Sequence, residues 1–263
     1  MMRYALPQML QLLSRPNPAP RGRILCFPHA GGDPEVFRAW GRVCPSDVEL
    51  FAFCLPGRGV RMGESPRTQL SALVDDCLTA LLPRLTDDLP TAFFGHSMGA
   101  LLCFETVRAC AHRHLPLPSL LVLSSCLPPH RLPEPQPLST LQGEDLLRET
   151  QQRFGNLPQA LLTNQYLQRY FLRYYQADLQ AFDSYRYHPD ETIPLTCPLL
   201  AVGGDCDQTV DPSALQAWRG FTRDFTSAIF PGGHFYLEEV QAQRHLLSKV
   251  LQGMRWTSVR GEP

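Results

Sequence analysis

The stretch Ala92-Phe93-Phe94-Gly95-His96-Ser97-Met98-Gly99-Ala100 decides the fold. An apolar run leads into a G-x-S-x-G turn. Beyond it Leu101, Phe104, Val107, Cys110 and Ala111 recur at three- and four-residue steps. That pattern predicts a buried strand, a sharp turn and a helix with one apolar stripe. A serine at such a junction projects its hydroxyl from the end of the sheet, the arrangement of a nucleophile elbow. A side chain at 95 or 99 would obstruct the turn and the close packing of helix on strand. The helix N-terminus behind Ser97 favours negative charge developing there.

Outward from the elbow the pattern repeats. Short apolar runs at Ile24–Phe27, Leu50–Leu55, Leu120–Ser124, Leu199–Gly203 and Ala228–Phe230 end in glycine or polar turns. Helical patterns lie over Ser71–Leu82, Met98–Ala111, Pro212–Trp218 and Tyr236–Leu251. The alternation predicts an α/β fold, a mostly parallel sheet with helices on both faces. Two proline clusters punctuate it. Arg15 to Pro20 predicts an extended lead-in to the first strand, and Pro128, Pro129, Pro133, Pro135 and Pro137 a stiff connector. Residues 138–190 break the alternation and read as two or three helices with no strand between them. Tyr166, Tyr170, Phe171, Tyr174, Tyr175, Phe182, Tyr185 and Tyr187 crowd this segment. It predicts an inserted helical lid over about 130–190, its aromatics packed on the core and lining an acyl channel, with Tyr170 and Tyr174 as channel candidates. The expected organisation is a lead-in at 1–22, one domain at 23–253 and a tail at 254–263.

A serine hydroxyl needs a base, and the base an orienting acid. In α/β-hydrolase folds the chain order is serine, acid, histidine. Phe230-Pro231-Gly232-Gly233-His234 is a short strand opening into a glycine loop that presents a histidine, so His234 is the expected base. The other late histidine, His245, falls within a helical pattern. Leu199 to Gly204 is an apolar strand running into Asp205-Cys206-Asp207, with Asp211 beyond. Asp207, three residues past Gly204, is the expected acid; Asp205 is the alternative, and a turn aspartate can instead cap the helix after Pro212. Cys206 reads as buried filler. Two backbone donors for an oxyanion are expected from the N–H of Met98 and, in the loop Phe27-Pro28-His29-Ala30-Gly31-Gly32, from the N–H of Ala30. His29 reads as shaping that loop.

Composition narrows the class. Hydrophobic residues at 44% and charged residues at 19% exclude global disorder. With 24 basic against 25 acidic residues there is no bulk positive field for nucleic acid. No apolar stretch approaches the ~18 residues of a membrane span. The nine cysteines include no C-x-x-C pair and several sit in apolar runs, which predicts reduced thiols and a cytoplasmic protein. The scattered histidines form no metal motif, so no metal is expected.

Four motifs in order carry a family resemblance: Phe27-Pro28-His29-Ala30-Gly31-Gly32, Leu55-Pro56-Gly57-Arg58, Gly95-His96-Ser97-Met98-Gly99 and Pro231-Gly232-Gly233-His234-Phe235-Tyr236-Leu237. From about Arg23 to about Leu251 the sequence resembles the type II thioesterases, the stand-alone editing enzymes of non-ribosomal peptide and polyketide synthesis, related to the vertebrate fatty acid synthase thioesterase. The resemblance places nucleophile, acid and base on Ser97, Asp207 and His234. It implies hydrolysis of acyl thioesters on the phosphopantetheine arm of acyl or peptidyl carrier proteins, without a cofactor; the sequence does not show an oligomeric state, and a monomer is the default expectation. Pro56-Gly57-Arg58 is expected to be structural only. The alternatives are an acyl-CoA thioesterase or carboxylesterase with the same triad, and a non-catalytic protein that docks on carrier domains.

Overall fold

The apolar runs form strands of one seven-stranded sheet. The computed structural model describes residues 9–254 apart from 86, 133–137, 156 and 190–193. The strands are β1 (Leu10–Leu12), β2 (Gly22–Phe27), β3 (Val48–Phe53), β4 (Thr91–His96), β5 (Leu120–Ser124), β6 (Leu199–Gly204) and β7 (Phe225–Phe230). Their spatial order is β1-β3-β2-β4-β5-β6-β7. Among the described residues only β1 is antiparallel to its neighbour. Side chains alternate between two cores because successive strand residues point to opposite faces. Leu25, Phe27, Phe93, Leu121, Leu123 and Ala201 enter one core; Ile24, Cys26, Phe94, Leu120, Val122 and Val202 enter the other. Strands buried on both faces are continuously apolar, which is why they read as runs rather than alternations.

The helices are α1 (Arg38–Val43), α2 (Leu70–Leu81), α3 (Met98–His112), α4 (Gly143–Phe154), α5 (Gln159–Thr163), α6 (Gln165–Asp183) and α7 (Val240–Gly253). Those of α2 and α3 pack on the first core, α1 and α7 on the second. No helix among the described residues is long and apolar enough to cross a membrane.

The order of strands locates the site. The chain moves from β2 outward to β3, then returns to lay β4 on the other side of β2. At such a switch point the loops leaving neighbouring strands diverge and open a crevice at their carboxyl ends. Register pairs Phe27 with Gly95 and His96 with Ser124, so the loops after β2, β4 and β5 emerge side by side.

Several expectations are corrected. The first strand is Leu10–Leu12, within the expected lead-in, and it pairs with Phe51–Phe53. Arg15 to Pro20 follow it as a connection between strands, with Asn17 Nδ2 donating to Ser46 O at 2.7 Å. The stretch Pro212–Phe221 is 3-10 rather than α-helical. The pattern from Tyr236 is broken: Tyr236–Glu238 is a 3-10 turn, and α7 starts at Val240 after an extended Glu239. Residues 34–43 form a 3-10 turn and α1 that the apolar periodicity did not indicate. In the connector, Pro129–Arg131 makes a 3-10 turn; Pro133, Pro135 and Pro137 lie outside the described residues, as do 1–8 and 255–263. The segment beyond it carries α4, α5 and α6, with no strand between them among the described residues.

Candidate active site

Ser97 sits at the turn from β4 to α3 with φ +55° and ψ −123°, a conformation L-residues rarely adopt. The turn survives because the backbone closes on itself there. A Cβ at Gly95 would lie 2.2 Å from Gly99 O, and one at Gly99 would lie 2.2 Å from Phe27 O. Ser97 N–H donates to Ser124 O at 2.8 Å, pinning the elbow to β5.

His234 follows β7 and Asp207 follows β6. Ser97 Oγ lies 3.0 Å from His234 Nε2, and His234 Nδ1 lies 2.8 Å from Asp207 Oδ2. Both His234 and Asp207 are buried. With Nδ1 protonated toward Asp207, Nε2 is left to accept the serine proton. The three expected residues, far apart in sequence, are brought together in one hydrogen-bonded line. Asp207 Oδ1 is engaged separately, accepting from Thr209 N–H at 2.9 Å, Thr209 Oγ1 at 2.7 Å and Val210 N–H at 3.2 Å. Thr209, which the sequence reading did not single out, also lies 3.0 Å from His234 Nδ1.

The line ends in a cavity of about 1200 Å³. Ser97, His234, Met98, Ala30 and His29 all lie in its wall, so the two expected oxyanion residues share the cavity with the serine. The rest of the wall comes largely from the inserted helices. Tyr170 and Tyr174 line it, with Phe171, Tyr175 and Leu161. Phe154, the last residue of α4, places its ring 5.0 Å from that of His234.

A thioesterase domain family model matches residues 22–252. The chain belongs to the thioesterase family. Over 224 residues this thioesterase is 34% identical to the gramicidin S biosynthesis protein GrsT of Aneurinibacillus migulanus, covering 85% of the chain and 86% of that protein. It is 30% identical over 249 residues to the human medium-chain S-acyl fatty acid synthase thioesterase, covering 92% and 91%. Among solved structures it resembles the type II thioesterase BorB from the borrelidin biosynthetic cluster, at TM-score 0.83 and 30% identity, covering 94% of this chain and 98% of that one. The thioesterase thus has the α/β-hydrolase fold and is a hydrolase of thioesters.

The electrostatics of the thioesterase keep two imidazoles beside the triad uncharged. Burial, and then His234 and His29, push the His96 pKa well below its ordinary value. Desolvation, then His234 and Arg58, bring His29 down to about 3. Two neutral imidazoles therefore stand near His234, with His96 5.1 Å from it ring to ring. Burial alone would raise the Asp207 pKa, but hydrogen bonds from His234 and Thr209 outweigh it and hold the carboxyl below its ordinary value. Behind the site His96 Nδ1 lies 2.9 Å from Ser124 Oγ, which lies 2.8 Å from Tyr236 OH.

The neighbouring acids have other tasks. Asp205 is exposed and accepts from Gly232 N–H at 2.9 Å, tying the histidine loop to β6. Asp211 caps the 3-10 segment by accepting from Ser213 N–H at 2.8 Å. Cys206 is exposed, not buried filler, because the turn between the two aspartates faces solvent.

Proposed function

We propose that this thioesterase hydrolyses acyl thioesters carried on the phosphopantetheine arm of acyl or peptidyl carrier proteins, clearing stalled or misprimed groups or releasing intermediates. The observation that carries this reading is the Ser97–His234–Asp207 line opening into a roomy, aromatic-walled cavity. The names of the relatives support it, among them a type II thioesterase from the borrelidin cluster.

Each residue has a role in that chemistry. His234 Nε2 takes the Ser97 proton as Oγ attacks the thioester carbonyl, while Asp207 holds the imidazole tautomer and balances its charge. The N–H groups of Met98 and Ala30 receive the oxyanion. The C–S bond breaks, the thiol leaves with a proton from His234, and an acyl-serine ester remains. Water, deprotonated by His234, attacks the ester and frees the carboxylic acid and Ser97. The steps consume one water and require no cofactor.

The test compares hydrolysis of one acyl group on a holo-carrier protein, on coenzyme A and on nitrophenol, following released thiol or phenolate. The reading expects the carrier-bound thioester to have the highest kcat/KM. A preference for the nitrophenyl ester would favour a carboxylesterase, and a preference for the coenzyme A thioester an acyl-CoA thioesterase. No turnover of any of the three, with Ser97 unreactive toward a fluorophosphonate, would favour a docking protein.

A further inference from the structure

The turn Pro56-Gly57-Arg58 follows β3, away from the triad residues, yet its arginine is one of the most deeply buried charged groups in the protein. Arg58 and Asp178 are each 1% exposed. They form a two-pronged pair, Nη1 to Oδ2 at 2.6 Å and Nη2 to Oδ1 at 2.5 Å. Asp178 belongs to α6, in the inserted segment, 120 residues along the chain.

What the pair touches gives it a purpose. Asp178 Oδ2 also accepts from Gly31 N–H at 2.8 Å, and Arg58 Nη1 also donates to Gly32 O at 3.0 Å. Both partners therefore grip the loop after β2 immediately beyond Ala30, through the Nη1–Oδ2 prong, while Nη2–Oδ1 holds the pair together. Helix α6 presses on the same point through its aromatics. Gly31 has φ +77°, and a Cβ there would meet Tyr175 at 2.8 Å and Phe171 at 2.9 Å. Arg58 lies over the Tyr174 ring, 4.5 Å from its centroid, and Gly59 N–H donates to Tyr170 OH at 3.1 Å. Four aromatic residues and one acid of α6 thus converge on two loops of the hydrolase core.

We propose that Arg58 and Asp178 are positioning residues that set the Ala30 N–H for the oxyanion, making the seat of the inserted helix part of the catalytic geometry. A buried ion pair adds little net stability over apolar residues of the same size, so its retention points to the geometry it imposes. Preorganised donors act only when aimed at the position that the charged oxygen will occupy. An α6 that lifted from the core would carry Asp178 with it and release Gly31. The inference rests on the proposed reading of Ser97 and Ala30.

The test uses the full chain with Arg58→Met and Asp178→Leu combined, which removes both charges at similar volume. The probes are acyl thioester hydrolysis and inhibition by an alkyl boronic acid, whose Ser97 adduct places a tetrahedral oxygen at the oxyanion position. The expected result is a kcat lower by about 10- to 100-fold. KM should stay within about 3-fold, and the boronate should bind weaker by the same factor as the loss in kcat. Wild-type kcat in the folded double variant would overturn the inference, as would a fall in kcat with boronate affinity unchanged. Should the double variant fail to fold, Asp178→Asn and Arg58→Lys decide by the same criterion: a proportional fall in kcat and boronate affinity supports it, and any other pattern overturns it. A wild-type protein that ignores the boronate and does not label at Ser97 would instead defeat the underlying reading of the site.

Discussion

Acidification should unfold this protein early, through its two neutral histidines. His96 has no solvent exposure, its Nδ1 is committed to Ser124, and its Nε2 has no hydrogen-bond partner among the described residues. Burial first, and then His234 and His29, depress its pKa far below the ordinary value. His29 is brought to about 3 by desolvation, His234 and Arg58. Unfolded, both titrate near pH 6.5. Between that value and the depressed folded value, the unfolded chain binds protons that the native protein refuses, so stability falls as pH falls. Protonation of the unfolded chain near pH 6.5 bounds the loss from pH 7 to pH 5 at up to about 2 kcal/mol for each histidine. Asp207 does not contribute in this window. Its lowered pKa gives stability that is present above the ordinary carboxylate value near 4 and lost only as pH falls through the folded value. Urea unfolding of wild type and His96→Gln at pH 7 and pH 5 reads the difference directly, since glutamine keeps a hydrogen bond to Ser124 without a basic nitrogen. The wild type should lose more stability than the variant over this interval, by up to about 2 kcal/mol. Equal losses in the two proteins would refute the assignment of acid sensitivity to His96.

Asp207→Asn should lower turnover by about 10²- to 10⁴-fold at equal folded fraction, because an amide leaves His234 in the wrong tautomer. Asp205→Asn should stay within a few-fold of wild type, and the reverse order in steady-state rates would move the acid two residues back. Gly99→Ala should destabilise by about 3 kcal/mol in denaturant titration, because the added Cβ meets backbone oxygens of both Phe27 and Pro28. Tyr170→Ala, which opens the cavity wall, should shift the preferred acyl length in a series from acetyl to dodecanoyl; an unchanged profile would reduce the residue to a packing role.

The elbow was legible because its constraints are local: two glycines, a serine and an apolar strand lie within nine residues. The central strands were legible for a related reason. A strand covered on both faces must be apolar throughout, so β2, β4, β5 and β6 stand out as runs. His234 and Asp207 could be reached from the ends of β7 and β6, since the loops at the carboxyl ends of parallel strands share one side of the sheet. Features set by tertiary contact were not legible. Leu10–Leu12 is too short to show a period and is a strand only because β3 offers an open edge. The break at Glu239 interrupts no apolar pattern, so Tyr236 onward read as one helix. Cys206 sits beside an apolar strand in sequence but on a solvent-facing turn in space. The Arg58–Asp178 pair joins positions that no local spacing relates, and Thr209 gains its place beside Asp207 only from the turn after β6.

The central claim is that Ser97 carries the acyl group between thioester and water. Mass spectrometry of protein quenched during turnover of an acyl-carrier thioester, followed by peptide mapping, tests it most directly. An adduct of acyl mass should appear on the peptide containing Ser97 and be lost on continued incubation in water. It should be absent in Ser97→Ala, whose turnover should be lower by about 10³-fold or more. Hydrolysis by the wild type with no adduct at Ser97, and a Ser97→Ala variant retaining about a tenth of the activity, would contradict the claim.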